Sequence, residues 1–179
     1  MNDFVYTYSK IKFYPINPRV EDIDVYDIAH ALSLMTRANG HCKYFYSVAQ
    51  HSINCYREAV ARNYSKRIQL GCLLHDASEV YLSDIIRAVK KNLNEYKVIE
   101  KNLQDTIYKK FIKEDLTHEE MEKICEIDDC LLYYEFVDLM DIKLKEKAPE
   151  KFFDFDLNKR DFEEVEKEFI SIMKQFGCV

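Results

Sequence analysis

Glycine and proline are both scarce, with three of each in 179 residues. With so little turn punctuation, long helices joined by short connections are expected. No Cys-x-x-Cys pair occurs among Cys42, Cys55, Cys72, Cys125, Cys130 and Cys178, so a zinc–thiolate site is not expected. Several of these cysteines fall at apolar helix positions and read as reduced core residues of a cytosolic protein. No apolar run approaches membrane-spanning length, and the opening MNDFVYTYSK lacks the apolar segment of a signal peptide. A cytoplasmic protein without membrane contact is therefore expected. Nor is there a surplus of basic residues. The formal net charge of -6 argues against broad, sequence-independent nucleic-acid binding, which needs a basic face. It leaves room for a small anionic substrate, because one or two local cations suffice for a phosphate. No internal repeat, low-complexity segment or linker interrupts the chain.

What is present is a globular balance, with 47% hydrophobic and 32% charged residues. The length suits one ordinary domain with a real core. We read residues 1–179 as a single all-α helical bundle. Its core spans about 24–142, followed by a C-terminal packing helix at about 158–176. Residues 4–14 (FVYTYSKIKFY) alternate loosely and are rich in β-formers, which fits a short N-terminal strand or hairpin. Asp24 is a plausible cap for a helix running to about Arg37, broken at Gly40. Further helices are expected at about 44–63, at 65–80 after a Ser65 cap, at 92–113, and at 118–142 after a Thr117 cap. The segment LSDIIRAVKK reads as a short turn or helical piece. In the last helix Phe162, Val165, Phe169, Met173 and Phe176 recur at helical spacing, an ordinary packing stripe.

Several charged residues stand on the wrong faces. On the helix at 118–142 the apolar stripe runs through Met121, Ile124, Cys125, Leu131, Leu132 and Leu139, and its missing members are Asp128 and Glu135. Asp129 lies about 100° further round and should face outward. A carboxylate on a buried stripe is costly unless it is paired, hydrogen-bonded or metal-bound. The stretch GCLLHDASEVYLSDI (71–85) repeats the pattern. His75 follows Ile68 and Cys72 on one helical row that Glu79 continues, and Asp76 follows Leu73 on the next. His51 sits three residues after Val48 and four before Cys55. Three helices thus each aim an imidazole or carboxylate inward. His, His, Asp and Asp are good ligands for a divalent metal, although the spacing alone fits a buried polar network equally well.

The ordered motifs SVAQHS (47–52), LLHDASEVYLSDI (73–85) and EIDDCLLYYE (126–135) resemble those of the HD-domain phosphohydrolases. The likeness falls in the small branch that contains bacterial 5′-deoxynucleotidases and phage enzymes releasing triphosphate from dATP. It covers roughly residues 7–140, including the leader before the first histidine. The resemblance implies that His51, His75, Asp76 and Asp128 bind one divalent cation (Mn, Co, Zn, Fe, Ni or Mg). It implies that Glu79 positions or deprotonates the attacking water, with Asp84 assisting. Arg37 matches the arginine that orients the phosphate, and Asp84, Ile85, Ile86 and Arg87 match a substrate-contact stretch, with Lys90 a further candidate. His41 either lines the substrate pocket or hydrogen-bonds in the turn after Gly40. The chain departs from the family pattern at Ala38, where a bulky aromatic is common, and at Ile86 and Ala88, where prolines are common. These departures bear on base preference.

Phosphate-ester hydrolysis independently needs these parts: a cation, a base for water, and a positive clamp on the phosphoryl group. The expected activity is a divalent-metal-dependent nucleotide phosphohydrolase that cleaves the 5′-phosphate ester of a deoxynucleotide. The alternatives are a triphosphate-releasing enzyme and a nucleotide sensor without turnover. A homo-oligomer is expected from the habit of the family. Of the adjacent acids, Asp128 is expected to be essential and Asp129 dispensable.

Overall fold

A computed structural model of the chain describes residues 3–179. The order of elements is β1 (Val5–Tyr6), β2 (Lys12–Phe13), α1 (Val25–Leu34), α2 (Val48–Ala61), α3 (Lys66–Leu74), α4 (Glu79–Leu82), α5 (Arg87–Lys90), α6 (Asn94–Phe111), α7 (His118–Met140) and α8 (Phe162–Gln175). The architecture is mostly all-α, as expected, with one antiparallel hairpin at the N-terminus. No helix among the described residues is long and apolar enough to cross a membrane.

The caps fall where the side chains dictate. Asp24 accepts the backbone N–H groups of Tyr26 and Asp27, and Ser65 accepts that of Ile68. Thr117 with Glu120, and Ser47 with Gln50, form reciprocal capping boxes. α1, α2, α3, α6 and α8 close around Phe13, Ile28, Leu32, Ile53, Leu73, Leu103, Ile107 and Phe169. A second apolar cluster (Ala59, Ile68, Cys72, Ile124, Ile127 and Leu131) joins α2 and α3 to α7. The stripe of α8 behaves as expected, with Val165, Phe169 and Met173 buried.

Three boundaries differ from expectation, each for a tertiary reason. α1 stops at Leu34 rather than Arg37, and residues 44–47 lie outside α2. The segment between them is drawn into a short ladder instead. Thr36 bridges Ser47, the Arg37 N–H donates to Tyr46 O, and the Val48 N–H donates to Met35 O. The expected helix at 65–80 ends at Leu74. Its continuation tightens into i to i+3 bonds, from Ala77 N to Leu74 O and from Glu79 N to Asp76 O, before α4 begins. Cys125 is exposed rather than buried. The buried row of α7 runs Ile124, Ile127, Leu131, Glu135, Leu139, and Cys125 lies one residue round from it.

α3 and α7 pack tightly at Gly71, where an added Cβ would lie 2.5 Å from Ile124 Cδ1. This contact sets the spacing between the helix that leads to His75 and the helix that carries Asp128. Gly71→Ala should be tolerated, since Ile124 Cδ1 is the tip of a flexible chain. Gly71→Leu should cost about 1–3 kcal/mol by overpacking, read as a lower urea midpoint at unchanged slope.

Candidate metal centre

α2, the turn after α3, and α7 deliver His51, His75, Asp76 and Asp128 to one point. His51 Nε2 lies 3.1 Å from His75 Nε2, 3.2 Å from Asp128 Oδ1 and 3.7 Å from Asp76 Oδ2. His75 Nε2 lies 3.3 Å from Asp76 Oδ2 and 3.8 Å from Asp128 Oδ1. Donor atoms about 2.0–2.2 Å from a common ion stand roughly 3.0–3.6 Å apart at octahedral or tetrahedral angles. Three of the five separations fall within that range and two, at 3.7 and 3.8 Å, lie just beyond it.

The far nitrogens of the two rings fix their orientation. His75 Nδ1 faces the Cys72 carbonyl at 2.8 Å, and a carbonyl can only accept, so Nδ1 carries the proton. His51 Nδ1 lies 2.6 Å from Glu135 Oε1 and donates in the same way. Both Nε2 lone pairs therefore turn toward the carboxylates. Four acceptors meeting in this way repel one another unless positive charge lies between them. The ionisation behaviour says the same thing. Burial opposes charge on His51 and His75, yet the surrounding acids, including Asp128, raise both imidazoles above their ordinary value. Burial would push Asp128 up, but the two imidazoles hold it well below the carboxylate range.

His51, His75 and Cys55 together form a group that could hold a metal ion. Cys55 Sγ lies 3.5 Å from His51 Nε2. Burial pushes the Cys55 thiol up to about 11, which favours the protonated form, a weak donor toward His51. The two carboxylates are ionised and carry the charge that a hard or borderline cation needs. Sequence reasoning placed Cys55 in the core and missed its contact with the ring; its place four residues after His51 was the available signal.

Two arginines touch the acids. Arg37 donates from Nη1 to Asp76 Oδ2 at 3.1 Å and from Nη2 to Glu135 Oε2 at 3.4 Å. Arg87 donates to Asp128 Oδ2 and to Asp129 Oδ1, at 2.6 Å each. The orientation expected on α7 holds: the Asp129 side chain is 56% exposed against 20% for Asp128. Glu79 is buried, and its Oε2 has no hydrogen-bond partner among the described residues. Burial pushes its carboxyl up to about 10, with Asp76 and Asp84 acting in the same direction.

A cavity of about 480 Å³ opens beside the acids, and all of Arg37, His41, Asp84, Ile85, Ile86, Arg87 and Lys90 line it. One wall is polar, with Asp76, Glu79 and Asp128; the other is apolar, with Leu132, Phe136, Leu139 and Met140. Those four α7 residues were not among the expected contacts, although Leu132 and Phe136 follow Asp128 at helical spacing. A second cavity, of about 660 Å³, lies against His75, Asp76, Glu79 and Lys90 and extends along α6 past Lys97 and Lys101.

No family model matches the chain. It is 36% identical over 108 residues to the uncharacterized protein YfdR of Escherichia coli, a match covering 60% of this chain and 58% of that protein. It is 42% identical over 80 residues to an uncharacterized protein of Rhodobacter capsulatus, covering 42% of this chain and 40% of the relative. The chain thus spans about half the length of the curated relatives it matches.

Glu135 supports two partners at once, the His51 ring and the Arg37 guanidinium. Glu135→Ala should lower affinity for Mn²⁺ by about 10- to 100-fold, as loss of a ligand's outer partner does, measured by calorimetric titration. An unchanged affinity would mean that the His51 ring is oriented by packing alone.

Proposed function

We propose that the protein is a divalent-metal-dependent phosphohydrolase of the HD-domain type, acting on deoxynucleotides at the 5′-phosphate ester. The observation that carries this reading is the convergence of His51, His75, Asp76 and Asp128 at the polar end of a cavity whose other wall is apolar. A cation held by these four side chains supplies a Lewis acid and lowers the pKa of water. The apolar residues of α7 that line the cavity, together with Ile85 and Ile86, suit a nucleoside.

The chain's own groups divide the remaining work. Arg37, fixed between Asp76 and Glu135, presents a permanent cation to phosphoryl oxygens. Glu79 has a high proton affinity and a free Oε2. Its ionised form, which positive charge at the donor set favours, takes a proton from the attacking water. The water oxygen adds to phosphorus, the P–O5′ bond breaks, and the leaving oxygen takes a proton from solvent.

A second mode, release of triphosphate from a nucleoside triphosphate, breaks the same P–O5′ bond. The larger cavity beyond Asp76 and Glu79, with Lys90, Lys97 and Lys101, offers room for the longer tail. A sensor without turnover is disfavoured by Glu79, because such a protein has no use for a buried acid with a free oxygen at the metal position.

The test is a screen of Mn²⁺- and Co²⁺-loaded protein against mono- and triphosphates of the common nucleosides, with phosphate, pyrophosphate and triphosphate read separately. Chelation should abolish turnover, and Glu79→Ala should reduce it by about 10²- to 10⁴-fold while metal content is retained. Asp128→Asn should lose both metal and turnover. Full activity in metal-free protein, or parent-like turnover by Glu79→Ala, would overturn the reading.

A further inference from the structure

Asp129 stands outside the donor set, and sequence spacing marks it as dispensable. It has one charged contact among the described residues, with Arg87. Arg87, on the four-residue helix α5, divides its guanidinium between two neighbouring acids, with Nη2 on Asp128 Oδ2 and Nη1 on Asp129 Oδ1. Asp128 Oδ1 is left facing His51 Nε2 at 3.2 Å and His75 Nε2 at 3.8 Å.

A guanidinium is a planar fork that prefers two oxygens in parallel, and a single carboxylate satisfies that preference completely. If Asp129 did not occupy Nη1, Asp128 would be the carboxylate left to the guanidinium, and its other oxygen, Oδ1, is the one directed at the histidines and, at 3.9 Å, at Arg37 Nη2. Arg87 would then hold both oxygens of Asp128 and draw the carboxylate away from the imidazoles. The Arg87 and Asp129 side chains are 62% and 56% exposed, so the pair contributes little to stability as an ion pair. Its consequence is geometric.

We propose that Asp129 is a positioning residue, which engages one arm of Arg87 and so keeps Asp128 Oδ1 available to a divalent cation. The assignment rests on the metal-centre reading above. It also gives Arg87 a second use: an anionic group entering the cavity competes with Asp128 and Asp129 for the same guanidinium.

Removing Asp129 also deletes a negative charge near the site, which would weaken cation binding by itself. A double-mutant cycle separates the two effects. Mn²⁺ affinity would be titrated calorimetrically for the parent, Asp129→Asn, Arg87→Ala and the double variant, with circular dichroism to confirm folding. Asp129→Asn is expected to weaken Mn²⁺ on the order of tenfold. Asp129→Asn combined with Arg87→Ala is expected to bind like Arg87→Ala alone, because no guanidinium remains to be misdirected. Equal affinity of parent and Asp129→Asn would overturn this inference while leaving the metal centre intact. So would a loss that persists in full without Arg87, since Asp129 would then act through its own charge. A parent that takes up no Mn²⁺ would overturn the metal-centre reading and this inference with it.

Discussion

Two imidazoles whose Nε2 atoms stand 3.1 Å apart, both turned toward the carboxylates of Asp76 and Asp128, lie at the centre of this structure. Left alone, that contact is repulsive, and two carboxylates at its edge make it worse. The arrangement persists because both rings are held from behind, by Glu135 and by the Cys72 carbonyl, and because the centre attracts positive charge. Raised imidazoles, lowered carboxylates and two arginines bent toward the acids express one electrostatic demand. A proton, a guanidinium or a metal ion can each meet it in part. A divalent ion held by these four side chains would meet it at a single point.

Helix α2 shows how the fold supports that point. It carries two buried polar rows about 100° apart. His51 and Cys55 face the donor set, while Gln50, Asn54 and Glu58 face the long connection between α7 and α8. Gln50 donates to Asn158 O and Asn54 to Asp156 O, while Glu58 accepts from the backbone of Phe152 and Phe153. An irregular segment is thereby satisfied along the whole length of the helix. The first row needs the second, because a polar helix face can be buried only where its hydrogen bonds are completed.

The sequence made the donor set legible because helical periodicity is regular. His51 and Asp128 each interrupt an otherwise apolar stripe, and such interruptions stand out. It made the hairpin, the caps at Asp24, Ser65 and Thr117, and the stripe of α8 legible for the same reason, since each is a local pattern. The features that escaped are those decided at a distance. Nothing local at Leu34 ends a helix; the partner strand around Tyr46 does so. The rows assigned to His75 with Glu79, and to Asp76, assumed an unbroken helix, whereas the chain tightens there. The change of pitch lets neighbouring His75 and Asp76 turn to the same point rather than diverge by a helical step. The Gln50, Asn54, Glu58 row was visible as spacing, but its partners lie about a hundred positions later in the chain, beyond the reach of any window. Arg87 was expected in a substrate-contact stretch and lines the cavity beside the acids, but its bond to Asp129 depends on where α5 docks.

The division of labour between regular and irregular backbone carries the last step. His51 and Asp128 stand on long helices, and His75 and Asp76 stand on the first turn beyond α3, so the donors belong to the rigid frame. Both arginines come from strained connections. Arg37 precedes Ala38 and Asn39, non-glycine residues in the left-handed region at φ 49° and 51°. The segment bearing Arg87 begins at Ser83, whose φ of 76° with ψ of 151° is a conformation that glycine adopts far more readily. Strain of this kind persists only where surrounding contacts over-determine it. Arg37 shows such contacts: its guanidinium is held by Asp76 and Glu135, and its backbone N–H donates to Tyr46 O. The helices thus place the carboxylates, and the connections between them set the two arginines against those carboxylates.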